Sequence, residues 1–379
     1  MKYHIITFGC QMNHSDSERI AALLRSQGHK PARKMGNANL LVINACSVRQ
    51  SAIHRVYDKI NKYHKNKKII LAGCVLESDK KKLQDKVVDI WHPDEYFKCV
   101  SLEQKLDTVK FPRSSATKKV QRSSAFVPIM TGCNNFCSYC IVPYTRGREK
   151  SRPADEIIKE VKNLIKNGYK EILLLGQNVN SYCSTLSATS PQMMGDALKG
   201  RRGVDDRQSA PPPTPSSSEE ERQIDFPALL RLINALPGDF TVKFLSSHPK
   251  DMSGELIDTI AKCKKVSKEI HLPIQSGDNA ILRKMNRKYT VAHYKKLIKK
   301  IRQKMPGTVI STDVIIGFPN ETKKQFENTV KLFKEIKFAK AYISIYSPRP
   351  GTTAYKLRND VPIQEKKRRW KILDEIANK

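Results

Sequence analysis

Apolar residues along the chain gather into short runs rich in Ile, Val and Leu, separated by longer stretches in which they recur at helical spacing. That alternation is the mark of βαβ units and parallel sheets. In a first series, residues 3–8, 40–45 and 68–72 read as strands. Residues 15–26 read as a helix with Asp16 and Glu18 in its first turn and Gly28 just past its end. The expectation is a parallel α/β sandwich domain over residues 1–103. A basic stretch containing Ser and Lys, residues 104–124, reads as a linker. The second series fills residues 125–379, with strands near 126–130, 171–176, 241–246, 269–274, 309–318 and 340–346. Helices near 154–167, 225–236, 252–264, 290–304 and 321–335 lie between them, and 362–376 is helical again. Six βα repeats predict a partial (βα)6 relative of the eight-stranded barrel.

The pattern stops over residues 184–222, where runs such as Pro211-Pro212-Pro213-Thr214-Pro215-Ser216 cannot build a packed core. This segment reads as a disordered insertion leaving from the end of the second barrel strand, on the face where barrel active sites form. Its five basic and six acidic residues sum to −1, so the remainder of the chain carries the positive surplus.

That surplus is large: 69 Lys and Arg against 37 Asp and Glu give a formal net charge of +32. Runs such as Lys80-Lys81-Lys82 and Lys366-Lys367-Arg368-Arg369 suit phosphate contact and RNA binding, solvated helix faces being the plainer alternative. A hydrophobic content of 39% excludes a mostly disordered chain. The longest apolar runs, such as 40–43 and 172–175, fall far short of the ~18 residues that span a bilayer, and the N-terminus has no secretory signal. The expectation is a cytoplasmic protein without a membrane segment.

Nine cysteines, an odd number in a reducing compartment, point to metal ligation or buried thiols rather than a disulfide framework. Cys133, Cys137 and Cys140 form C-x-x-x-C-x-x-C directly after the first barrel strand. Three thiolates on one tight loop can hold three irons of a 4Fe-4S cube, leaving the fourth iron open to a bidentate ligand such as S-adenosylmethionine. Structural zinc is the alternative, but it wants four N or S ligands, and no second cysteine pair follows. Cys10, Cys46 and Cys74 lie far apart in sequence, yet each follows one strand of the first domain. Parallel strands end at a common edge, so these thiols are expected to converge as a second cluster site, the alternative being three buried core thiols. Cys99, Cys183 and Cys263 show no pattern and read as ordinary thiols.

Together with these thiols, several segments resemble the radical S-adenosylmethionine methylthiotransferases, in particular bacterial tRNA enzymes of the MiaB type. They include Gly9-Cys10-Gln11-Met12-Asn13, Asn44-Ala45-Cys46-Ser47-Val48-Arg49, Gly73-Cys74 and Gly132 to Cys140 continuing to Pro153. Leu175-Gly176-Gln177-Asn178-Val179-Asn180, Ser246-Ser247-His248-Pro249, His271-Leu272-Pro273-Ile274-Gln275-Ser276-Gly277 and Gly317-Phe318-Pro319-Asn320-Glu321-Thr322 complete the match. The resemblance implies a methylthiotransferase N-terminal domain followed by a radical-SAM partial barrel. It implies that Cys133, Cys137 and Cys140 hold the 4Fe-4S cluster that cleaves S-adenosylmethionine, while Cys10, Cys46 and Cys74 hold an auxiliary 4Fe-4S cluster that carries or donates sulfur. The residues around Gly317 and Glu321 resemble the strand-five region that helps hold S-adenosylmethionine. The implied reaction adds a 2-methylthio group to N6-isopentenyladenosine at position 37 of tRNA, next to the anticodon. The target C–H is not acidic, which is why a radical route supplied by cofactors is needed. The implied partners are tRNA and an electron donor such as a flavodoxin or ferredoxin, with the enzyme acting as a monomer. Within the class, threonylcarbamoyladenosine in tRNA or a ribosomal-protein aspartate are the alternative targets. A non-catalytic Fe-S RNA-binding protein is the alternative outside it.

The sequence departs from the family's pattern in three places. It stops at Lys379, where members usually continue into a C-terminal TRAM barrel, so the expectation is either a truncated copy or tRNA held without that barrel; it has the 184–222 insertion, and Val75-Leu76-Glu77-Ser78-Asp79-Lys80 after Cys74 matches poorly.

Overall fold

Each early strand is followed by a helix that returns the chain to the same end of the sheet, so the strands run parallel. The computed structural model describes residues 1–48, 50–98, 124–185 and 223–378. In its first domain, β1 (Lys2–Thr7), β2 (Lys30–Pro31), β3 (Leu40–Cys46), β4 (Lys68–Cys74) and β5 (Asp89–Trp91) form one parallel sheet in the order β2-β1-β3-β4-β5. Every residue of β3 is buried, as expected of a central strand covered on both faces. On one face Leu41 and Ile43 pack with Ile53, Val56 and Ile60 of the helix Gln50–Tyr63. On the other, Leu40 and Val42 pack with Ile20, Ala21 and Leu24 of the helix Gln11–Ser26.

That second helix begins four residues earlier than the sequence pattern suggests, with Cys10 as its N-cap. Asp16 and Glu18 therefore do not lie in the first turn. Instead Asp16 is fully buried and paired with Arg146, so a distant cation rather than the helix dipole explains the carboxylate. The short strands β2 and β5 are also absent from the sequence reading, because two or three residues give no periodicity to detect.

The second domain starts at β6 (Ser124–Pro128), followed by an antiparallel pair, β7 (Met130–Thr131) and β8 (Lys150–Ser151). Next come β9 (Glu171–Leu175) and a second antiparallel pair, β10 (Cys183–Thr185) and β11 (Gln223–Asp225). The last strands are β12 (Thr241–Phe244), β13 (Glu269–His271), β14 (Val309–Ile316) and β15 (Lys340–Ile345). Parallel pairing gives β6-β9-β12 and β13-β14-β15. The two halves join through a parallel bridge between Val242 and Val266 and the bond from Ser267 N to the Val242 carbonyl. Six parallel strands thus follow one another in chain order, and among the described residues β6 and β15 are not paired. This is the expected partial (βα)6 barrel.

Alternate strand residues serve two layers. Val127, Ile172, Leu174 and Val242 face the helices Ala154–Lys166 and Phe226–Asn234 in the main core. Inside the barrel, Phe126, Leu173, Leu175 and Leu245 pack around Met12 of the first domain. Lys243 points the same way and bridges Glu171 at 3.0 Å and Glu269 at 3.4 Å, which closes the barrel floor with ions. The first domain therefore seats a methionine in the barrel. Finally, the helix Ile363–Ala377 packs against β15, as the 362–376 pattern suggests.

The proposed boundaries fall mainly outside the described residues. Of the 104–124 linker only Ser124 is described, and it opens β6. Of the 184–222 segment only Ser184 and Thr185 are described, and both belong to β10 rather than to an insertion, because they pair with Ile224 and Gln223. Among the described residues no helix is long and apolar enough to cross a membrane.

Candidate functional site

Cys46 and Cys74 end neighbouring strands and lie directly opposite each other in the β3–β4 register. Cys10 joins them because of two local devices. Gly9 takes φ +119, and a Cβ there would stand 2.8 Å from Cys46 Cβ, so only glycine allows this approach. Asn13 Nδ2 donates to Asn44 Oδ1 at 3.0 Å and to the Ala45 carbonyl at 2.8 Å, while Asn44 Nδ2 donates to the Asn13 carbonyl at 2.7 Å. This reciprocal pair fastens the first turn of the helix to the end of β3, with the Cys10 thiol 3.5 Å from Asn13 Oδ1. Cys46 and Cys74 are buried and Cys10 is exposed.

The cation nearest Cys74 comes from the other domain. Arg146, just beyond the C-x-x-x-C-x-x-C loop, is buried and donates from Nε to Cys74 Sγ at 2.8 Å and from Nη2 to Asp16 at 2.5 Å. Burial pushes the Cys74 thiol up to about 12, against the pull of Arg146 and with the nearby Cys46 and Cys10 sulfurs adding to the rise. Gly9 thus brings the start of the helix to the end of β3, where Cys46 and Cys74 face each other.

The second set is held by a different structure. Gly132 opens the loop at φ +76, where a Cβ would lie 2.0 Å from the Arg148 carbonyl oxygen. Residues 284–287 then grip its far side: Ser138 Oγ donates to the Lys284 carbonyl at 2.7 Å and Asn286 Nδ2 to the Phe136 carbonyl at 2.8 Å. Arg287, itself buried, donates to Cys137 Sγ at 3.4 Å. Burial raises the Cys133 thiol and pushes Cys140 up to about 12.

Both sites offer thiol sulfur backed by a guanidinium, a donor set suited to a cluster of net negative charge. Among the described residues no three ligating groups converge closely enough to hold a single metal ion. Three thiols at the corners of a cube stand further apart than the ligands of one ion, and each set offers three thiols where structural zinc takes four ligands, so the residues fit a 4Fe-4S group.

A cleft of about 1120 Å³ lies between the domains. Tyr139 and Cys140 line it from the loop, Gln275, Asp313 and Tyr346 from the barrel, Lys366 and Trp370 from the C-terminal helix, and Val48 and Gln50 from the first domain. Buried polar atoms cluster on this barrel end: Gln177 Oε1, Asn178 Oδ1, both amide atoms of Asn180, Ser247 Oγ and Gln275 Oε1 have no partner among the described residues. They follow β9, β12 and β13.

Gly317 and Glu321 do not line that cleft. Glu321 is buried, accepting from Gly317 N at 2.7 Å and from Arg369 Nη1 at 2.8 Å. Lys366, which does line the cleft, is what a side chain at Gly317 would strike. The motif thus docks the C-terminal helix, and Thr322 with Gln325 forms a capping box for the helix Lys323–Ile336.

Comparison with known proteins gives this arrangement a family. Residues 127–333 match the Radical SAM superfamily, and residues 2–92 match a family described as Uncharacterized protein family UPF0004. The tRNA-2-methylthio-N(6)-dimethylallyladenosine synthase of Syntrophomonas wolfei is 40% identical over 397 residues, covering 99% of this chain and 81% of the relative. That of Clostridium novyi is 40% identical over 402 residues, covering 100% and 81%. The chain belongs to this radical SAM family. Among solved structures, the radical S-adenosylmethionine methyltransferase TsrM from Kitasatospora setae, with cobalamin and a [4Fe-4S] cluster bound, superposes with a TM-score of 0.59 at 12% identity. That match covers 93% of this chain and 73% of TsrM, and shows a shared fold.

Sequence reading singled out the six thiols but not Arg146, Arg287 or Arg349. Their roles depend on partners 72 to 299 residues away, and a lone arginine in a basic chain carries no local signal. Cys183 is exposed and Cys263 is buried in the core, as ordinary thiols are, and Cys99 lies outside the described residues.

Proposed function

We propose that the protein is a tRNA methylthiotransferase that places a 2-methylthio group on N6-isopentenyladenosine next to the anticodon. The observation that carries this reading is the disposition of six thiols as two separate guanidinium-backed sets, in a chain 40% identical throughout to relatives bearing that name. When bound, a 4Fe-4S cluster at Cys133, Cys137 and Cys140 supplies the electron that cleaves S-adenosylmethionine, and one at Cys10, Cys46 and Cys74 supplies sulfur.

The chain's own residues provide binding and orientation. The unpartnered amide oxygens of Gln177, Asn178 and Gln275 offer buried acceptors, and Asn180 a donor and an acceptor, for the edge of a base. Trp370 is 39% exposed in the cleft and offers an aromatic face, while exposed Lys367 beside it attracts phosphate. His248 is no proton donor: burial first, then Arg287 and Lys250, push its imidazole down to about 2, and it accepts from Lys250 N at 3.1 Å. Gly317 and Glu321 act by seating Lys366 and its helix at the cleft. The strongly basic chain suits an acidic flavodoxin or ferredoxin as electron donor, and we place the enzyme in the cytoplasm as a monomer.

The test is an anaerobic assay of the reconstituted protein on isopentenylated tRNA, with nucleosides identified by mass. The expected product is the methylthio derivative of the isopentenylated nucleoside. Fully loaded protein that leaves this nucleoside unmodified, or modifies only a threonylcarbamoylated one, overturns the reading.

A further inference from the structure

The first domain supplies three thiols, but the barrel domain supplies guanidinium groups on two sides of them. Arg146 reaches Cys74 from the segment after the cysteine loop. Arg349, from the turn after β15, donates to Gln50 Oε1 at the start of the helix following Cys46. It is 3% exposed and within electrostatic reach of Cys46, Asp79 and Tyr57. Asp79 accepts from Tyr57 OH at 2.9 Å and from Ser47 Oγ at 3.3 Å, so the region that departs from the family's pattern is built into the same wall.

Each arginine keeps one buried N–H in reserve. Arg146 Nη1 and Arg349 Nε have no partner among the described residues. A buried donor left unpaired is costly, and a cluster held by Cys10, Cys46 and Cys74 would bring sulfur acceptors beside them. We propose that Arg146 and Arg349 are positioning residues of the N-terminal cluster, closing it from two sides so that its redox poise is set by the barrel domain. The inference rests on the two-cluster reading above and extends it to these two residues. Positive charge and hydrogen bonds at the sulfurs stabilise the reduced, more negative cluster and raise its reduction potential.

The experiment uses the full chain carrying Cys133→Ala, Cys137→Ala and Cys140→Ala, which confines iron to the N-terminal site. Its midpoint is read by spectroscopically monitored redox titration, without tRNA. Arg146→Gln is expected to lower the reduced-to-oxidised ratio at the parent midpoint about tenfold, or 59 mV for one electron. Arg349→Gln is expected to shift it in the same direction, and Arg146→Lys, which keeps the charge, by less than Arg146→Gln. Because Arg146→Gln strands the buried Asp16, the double variant Asp16→Asn/Arg146→Gln restores neutrality and serves if the single variant fails to fold. Midpoints within twofold of the parent ratio in both the double variant and Arg349→Gln, at full iron content, overturn the proposal. A parent that loads no iron overturns the cluster assignment of Cys10, Cys46 and Cys74 and the proposal with it. Parent loading with unshifted variants overturns the proposal alone.

Discussion

We propose that the six thiols divide into two sets with separable work. Cys137→Ala should abolish S-adenosylmethionine cleavage, read as 5′-deoxyadenosine, because two thiolates on the loop cannot hold the cube. Cys46→Ala should leave cleavage measurable and stop methylthio product formation, read in the same reactions by nucleoside mass. Wild-type product from Cys46→Ala would remove the sulfur-donating role. Gly132→Ala should cost about 1–3 kcal/mol, since the new methyl strikes the Arg148 carbonyl and φ stays at +76. Thermal unfolding measures it. The cysteine spacing was legible because it is local, and the placing of Cys46 opposite Cys74 was legible because parallel strands end at one edge. Asp16 was misread as a helix-dipole residue because its partner Arg146 stands 130 residues further on, where no periodicity points to it.

The longer strands were legible because they bury alternating faces against helices, but the helices Gln50–Tyr63, Glu77–Leu83, Pro93–Lys98 and Asn279–Lys284 were not singled out. The short pairs β7–β8 and β10–β11 were missed as well, because two or three residues give no periodicity to detect. In β10–β11, Thr185 sits opposite Gln223, so the residues on either side of 186–222 are paired neighbours. Replacing 186–222 with Asn-Gly should therefore close a hairpin and leave the thermal midpoint and iron content unchanged, whereas loss of either would show that the excised residues stabilise the domain. The C-terminal helix depends on a buried pair. Glu321→Gln leaves Arg369 with Glu365 as its remaining carboxylate among the described residues and should cost about 3 kcal/mol, measured by urea unfolding. Glu365 itself is held at about 2, below its ordinary 4.5, by hydrogen bonds from Arg368 and Arg369. A depressed carboxylate adds stability above pH 4.5 that is lost as pH falls toward 2, so Glu365→Gln should flatten the stability profile across that window.

For the whole molecule, a net charge of +32 makes RNA affinity depend on salt. Lys367→Ala should weaken tRNA binding and reduce the magnitude of the log-affinity against log-salt slope by about one, determined by titration at several salt concentrations. An unchanged slope would place that lysine off the RNA path. Charge and length alone could not reveal how the domains meet, because the contacts of Met12, Arg146 and Arg349 exist only after both have folded. The Arg146–Asp16 pair also sets a schedule for the cell. A ribosome adding roughly 5–20 residues per second releases the first domain with Asp16 unmatched, and Arg146 follows roughly 2–10 seconds later. During that interval the nascent domain has its cysteines but not their clamp, so iron delivered then would meet an unfinished cradle.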